Sequence, residues 1–242
     1  MIKFFCFFVL FFGIIEAKEK QICKEKKKYD LCICAVLNND SEYLLEWIEH
    51  HRLVGVDHFY LYNNGRDDFV RQALKPLIKK DVVTLIPWKQ KASFNEIENG
   101  FVWALSTQIP AYENATYLRG TAETKWLICL DLNEYLIPIG TNNVNHILEK
   151  YANYSGLLLV SDCFDHYMEA KKSIFKPELC KGFSWPPYQS KFQNDCEVVK
   201  ISPSELRINR YFYPGPSALK RKACQEILNL ENYEIESLEF LP

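Results

Sequence analysis

Residues 126–135 read Trp126-Leu127-Ile128-Cys129-Leu130-Asp131-Leu132-Asn133-Glu134-Tyr135. The unbroken apolar run at its start predicts a strand covered on both faces, as in a parallel sheet flanked by helices. Acid follows at once, and apolar residues resume at Tyr135-Leu136-Ile137. An ordinary surface turn does not read this way. Oxygen donors at Asp131, Asn133 and Glu134, directly after a buried strand, can hold a hard divalent ion against a diphosphate. The plainer alternative is that Asp131 and Glu134 only cap and solvate a strand end.

Working outward, the same alternation repeats. Leu31–Leu37 (LCICAVL) is a second continuous apolar run, followed by helical spacing over 41–54 at Leu44, Trp47, Ile48, His51 and Val54. Gly55 ends that helix. His58–Tyr62 predicts a strand broken by Asn63-Asn64-Gly65, and 69–79 a helix that bends or restarts at Pro76. Strands follow at 82–86, stopped by Pro87, and at 156–160, with a helical region over 95–119 split by Pro110 and a helix over 144–151. Repeated strand–helix–strand units specify an α/β fold with a mainly parallel central sheet and right-handed crossovers. Beyond Ser161 the pattern loosens, and a last helix is expected over 218–230.

In such a sheet ligands bind outside the carboxyl ends of the strands. Polar residues cluster at three predicted ends: Asn38-Asn39-Asp40, Asn63-Asn64 through Asp67-Asp68, and Asp131 through Glu134. No G-x-G-x-x-G, P-loop, G-x-S-x-G or H-E-x-x-H pattern occurs, which removes the usual support for dinucleotide, P-loop, serine hydrolase and zincin chemistry. A net charge of −2 leaves no global field to attract nucleic acid or anionic lipid.

The first residues suggest export. Lys3 precedes an apolar run over 4–15, shorter than the roughly 20 residues a spanning helix needs. Residues 1–17 therefore read as a cleaved signal peptide or a short membrane anchor, giving a secreted, periplasmic or luminal domain. Residues 18–30, rich in lysine, read as a solvated basic linker, and 31–242 as the domain. Of nine cysteines, Cys32, Cys34 and Cys129 fall in strand runs and read as buried thiols, while Cys180 and Cys196 flank a Pro-containing stretch suited to a disulfide.

One long stretch carries a resemblance. Residues 39–62 run NDSEYLLEWIEHHRLVGVDHFYLY. They resemble the opening signature of glycosyltransferase family 92, N-E-x-x-Y-L-x-E-W-x-x-[HY]-H-x-x-x-G-V-x-x-F-x-x-Y. Residues 63–68 (NNGRDD) are similar to that family's D-N-x-S-x-D loop, and Gln108, Ala111, Tyr112 and Thr124-Lys125-Trp126 also match. Asp131-Leu132-Asn133-Glu134-Tyr135 stands where the family has D-x-D-E-[FY]. The resemblance is close over 31–138 and loose to about 222.

It implies a GT-A-type fold, a nucleoside diphosphate sugar donor (a UDP-sugar), a Mn2+ or Mg2+ ion, and galactose-like hexose transfer to a glycan with inversion. Asp131, Asn133 and Glu134 would surround the ion, and Asn39, Asp40, Asn64 and Asp68 would line the nucleotide side. Asp162 and Asp165 stand where such enzymes keep the base that deprotonates the acceptor hydroxyl. Three departures stand out. Asn133 replaces an aspartate, Arg66 replaces a loop serine, and Arg210 in INRYF replaces a histidine that assists the metal. Arg210 could grip the diphosphate in place of metal charge, or mark a degenerate protein that binds glycan or nucleotide without turnover. Glu46, Trp47 and His51 read as packing and orienting groups. The adjacent His50 and His51 are expected on different helix faces.

Overall fold

The computed structural model describes residues 26–37, 43–65, 68–89, 103–163, 170–184, 190–193 and 196–211, with positions 68, 161–163 and 170 described by backbone alone. The expected N-terminal signal or anchor, the helix over 218–230, and Asn39, Asp40, Arg66 and Asp165 lie outside these residues.

Strands β1 (Tyr29–Leu37), β2 (His58–Asn63), β3 (Val83–Pro87) and β4 (Thr124–Cys129) run parallel in the order β3-β2-β1-β4. The order continues through β7 (Ala170–Phe175), β6 (Gly156–Cys163), β11 (Leu206–Arg210) and β5 (Glu134–Pro138). Strand β10 (Val198–Lys200) pairs with β6, and β8 (Cys180–Phe183) forms a separate ribbon with β9 (Ser190–Phe192). The mainly parallel α/β sheet is as the sequence predicts, with antiparallel insertions at β7 and β5. Strand β1 starts at Tyr29, so the sheet takes in two residues of the expected linker.

Helices α1 (Leu44–Leu53), α2 (Asp68–Lys79) and α4 (Val144–Lys150) cover one face of the sheet. Their Leu44, Trp47, Ile48, Val70, Leu74, Val144, Ile147 and Leu148 pack on Leu31, Ile33, Ala35 and Leu37 of β1 and on Ile128 of β4. The other face carries α3, a composite helix described over residues 103–123, whose Trp103, Ala104, Ala111, Tyr112 and Ala115 meet Cys32, Cys34 and Cys129. Those three cysteines are buried free thiols acting as small hydrophobes, as expected.

The prolines do less than the sequence suggests. Helix α2 continues through Pro76, whose carbonyl accepts the Lys80 N–H at 3.1 Å. The apolar face of Val70, Leu74, Leu77 and Ile78 holds it against the sheet despite one missing N–H. Pro110 does not split α3 either. A π-turn at Ala104–Gln108 precedes an α segment at Ile109–Asn114, a second π-turn at Ala115–Gly120 and an α turn at Thr121–Glu123. The Ile109 N–H reaches back to Ala104 O, and this shift in the ladder accommodates Pro110 near the start of the next segment. Pro87 is the last residue of β3, which ends there as the sequence predicts, and on this edge strand its missing N–H costs nothing.

The expected disulfide does not form: Cys180 and Cys196 are both free thiols. Cys180 is buried on β8, where its thiol donates to Gly182 O at 3.4 Å, so it packs inward rather than across the loop.

Candidate active site

Strand direction gathers the polar residues on one edge. The parallel strands β1, β2, β3, β4, β6 and β11 all end there, whereas the antiparallel β5 and β7 begin there. That edge therefore receives Asp131 just after β4, Glu134 at the start of β5, Arg210 at the end of β11 and Lys172 near the start of β7. Arg210 lies directly opposite Glu134 in the β11–β5 register, and Asn209 opposite Asp162 in the β11–β6 register.

Asp131 and Glu134 are locked into a short turn. The Asp131 N–H donates to Glu134 Oε2 at 2.9 Å, and the Glu134 N–H donates to Asp131 O at 3.0 Å. Gln108, from the π-turn of α3, donates through Nε2 to Asp131 Oδ1 and to the Tyr112 hydroxyl, both at 2.7 Å. Asn133 clips the turn to the end of β11. Its Nδ2 donates to Tyr211 O at 2.9 Å while its carbonyl accepts the Tyr211 N–H at 2.9 Å.

Lys172 is the residue that sequence reading misses. Its Nζ lies 3.0 Å from Glu134 Oε2 and 3.6 Å from Asp131 Oδ2, with its side chain only 3% exposed. Arg210 Nη2 stands 3.9 Å from the same Asp131 oxygen and keeps a third of its surface in solvent. Burial works to lower the Lys172 ammonium, but Asp131 and then Glu134 outweigh it and hold it above its usual value. Burial pushes the Glu134 carboxyl up, and Lys172 opposes that shift. Nothing in AKKSIF distinguishes Lys172 from a solvated strand lysine; only the antiparallel entry of β7 places it beside the acids.

The edge strand β5 is held from its unpaired side by α1. The Trp47 indole Nε1 donates to Glu134 O at 2.8 Å. The Leu136 N–H donates to His51 Nε2 at 3.2 Å, and His50 Nε2 donates to Leu136 O at 3.1 Å. His51 Nδ1 in turn donates to Trp47 O at 2.8 Å, which fixes its tautomer. The two imidazoles thus do not part to different sides as the helix spacing suggests. Both fall within the half of α1 that faces β5 and converge on one residue, Leu136. Trp47 and His51 pack and orient, as expected.

At the strand ends expected to line a nucleotide, the Asn64 N–H donates to Leu37 O at 3.0 Å, tying the ends of β1 and β2 together. Asp68 opens α2, and Asp162 lies near the end of β6, two strands from Glu134 through β11.

The donors present do not fit a divalent ion as they stand. Asp131 Oδ1 accepts from Gln108, and Asp131 Oδ2 already faces two cations within 4 Å. The side chain of Glu134 is fully buried against Lys172, and Asn133, whose Nδ2 donates to Tyr211 O, has only a neutral amide oxygen to offer a cation. A dication placed here would meet Lys172 and Arg210 at short range, where like charges repel strongly. Among the described residues, no three or more His, Cys, Asp or Glu side chains gather in a metal-binding group.

An α/β sheet whose charged residues meet at its carboxyl edge is the architecture expected of a GT-A-type transferase. The glycosyltransferase family 92 model matches residues 27–161, more than half of this chain, and the chain belongs to that family. A family 92 glycosyltransferase protein of Ricinus communis is 25% identical across 87% of this chain and 40% of its own length. One of Arabidopsis thaliana is 27% identical across 70% of this chain and 28% of its own length. The chain thus spans less than half the length of these relatives. Among solved structures, S. aureus TarS 1-349 in complex with UDP superposes with a TM-score of 0.47 at 9% identity, over 72% of this chain and 61% of that one. HddC from Yersinia pseudotuberculosis gives 0.45 at 14%, over 82% of this chain and 99% of that one.

Proposed function

We propose that this chain is a glycosyltransferase that moves a galactose-like hexose from a nucleoside diphosphate sugar, a UDP-sugar, to a glycan or other hydroxyl acceptor. The observation that carries this reading is the meeting of Asp131, Glu134, Lys172 and Arg210 at the carboxyl edge of the sheet, in a chain that belongs to family 92. Asn39, Asp40, Asn64 and Asp68 would line the nucleotide side. The acceptor hydroxyl would lose its proton to Asp162 or Asp165 and attack the anomeric carbon opposite the diphosphate, inverting it. As that bond forms, the bond from the anomeric carbon to the diphosphate breaks, and the nucleoside diphosphate leaves with the electron pair. Residues 1–17 would carry the domain into an exported compartment.

Asn133 and Arg210, which stand where the family has an aspartate and a histidine that serve the metal, favour one alternative, a protein of this fold that binds nucleotide or glycan without turnover. A thermal-shift titration with UDP-, GDP- and CDP-sugars, followed by product analysis, separates the two. A ligand at 100 times its dissociation constant stabilises the fold by about 2.7 kcal/mol. Stabilisation with release of nucleoside diphosphate supports the transferase. Stabilisation without release across donors and acceptors supports the binding protein. No stabilisation by any nucleotide sugar counts against the donor site.

A further inference from the structure

The charge balance of the Asp131–Glu134 turn is complete without an ion. Two carboxylates face two cations, and the cations come from different strands. Lys172 enters from β7 and is withdrawn from solvent; Arg210 enters from β11 and remains partly exposed. The division of exposure divides the work. Lys172 can neutralise the acids but cannot reach a ligand in solvent, whereas Arg210 can present its guanidinium to an incoming anion.

Asn133 and Arg210 are physically linked. The Asn133 Nδ2 donates to Tyr211 O, a bond an aspartate carboxylate could not make, because an ionised carboxylate only accepts. That bond, with the Tyr211 N–H donating back to Asn133 O, fixes the residue next to Arg210 against the turn. The asparagine thus removes one unit of negative charge and at the same time anchors the strand end that delivers a positive one. A planar guanidinium suits bidentate contact with phosphate oxygens.

We propose that Lys172 and Arg210 supply at this edge the positive charge otherwise expected of a divalent ion, so that this chain binds the diphosphate of its donor without metal. The proposal rests on the nucleoside diphosphate sugar reading above. Arg210 contacts the diphosphate, Lys172 offsets part of the negative charge of Asp131 and Glu134 beneath it, and Asn133 positions Arg210 through Tyr211.

The test is calorimetric titration of the full chain with UDP, GDP and CDP, each in EDTA and in Mn2+. We expect one nucleotide to bind with affinities in the two media within about twofold. Arg210→Ala should weaken it at least tenfold in EDTA, Arg210→Lys should recover part of the loss, and thermal unfolding should report that both variants fold. The double variant Asn133→Asp/Arg210→His should gain Mn2+-dependent nucleotide binding that wild type lacks. Wild-type binding at least tenfold tighter in Mn2+ than in EDTA overturns the proposal and leaves the donor-site reading standing. Equal binding by wild type and Arg210→Ala overturns the role of Arg210. Failure of all three nucleotides in both media overturns the donor-site reading and this proposal with it.

Discussion

Lys172 Nζ lies 3.0 Å from Glu134 Oε2, and both side chains are withdrawn from solvent. Breaking a buried ion pair by removing one partner leaves the other charge uncompensated, at a cost of about 3–5 kcal/mol. Lys172→Met should therefore destabilise the domain by about that amount, read by urea unfolding. The double variant Lys172→Met/Glu134→Leu should be less destabilised than Lys172→Met alone. A double variant worse than the single would show that the pair does not hold this edge together.

Trp47 ties α1 to the first residue of β5 through its indole N–H. Trp47→Phe keeps most of the apolar contact but leaves the buried Glu134 carbonyl without that donor. A loss of about 1–3 kcal/mol is expected, with no change in secondary structure by circular dichroism. An unchanged urea midpoint would mean that the indole bond is not stabilising.

The two histidines set an acid limit on stability. Burial holds His50 down at about 4 and His51 well below its usual value. Both hold β5 as neutral rings, and an imidazolium at His51 could not accept the Leu136 N–H. In the unfolded chain they titrate near the ordinary value of about 6.5. Between these limits the unfolded state binds more protons, so stability is full above about 6.5 and falls as pH drops toward 4. Urea midpoints measured across that window should decline with acid, and the decline should flatten in His51→Gln. A flat wild-type profile would contradict this.

Gly55 has φ of +99°, and a Cβ there would lie 2.2 Å from Asn143 Oδ1. That oxygen caps α4 by accepting the Asn145 N–H at 2.8 Å. Gly55→Ala would add left-handed strain and displace the cap, costing more than about 1 kcal/mol. A drop in melting temperature of more than about 2 °C is the expected readout.

Gln108 donates to Asp131 Oδ1 from the π-turn of α3. Gln108→Leu should remove that hydrogen bond to Asp131 Oδ1, and on the proposed function should lower sugar transfer about tenfold with a smaller change in melting temperature. Equal losses in stability and transfer would assign Gln108 to packing alone.

The apolar runs at 31–37 and 126–130 determined by themselves that this is an α/β sheet with strands buried on both faces, because only a covered parallel strand tolerates continuous hydrophobicity. The acids after β4 were equally legible, since charge straight after such a strand must sit at the sheet's edge. The departures at Asn133 and Arg210 could be read from residue identity alone. Tertiary structure decided what those residues do. The pairing of β7 antiparallel between β4 and β6 brings Lys172 from about forty positions away in the chain to the acids, and no local pattern in AKKSIF encodes that direction. The convergence of His50 and His51 on Leu136 also depends on where β5 lies relative to α1. Propensity and period are local properties of a chain. Charge compensation in a buried turn is a property of neighbours in space, and these neighbours come from β4, β5, β7 and β11.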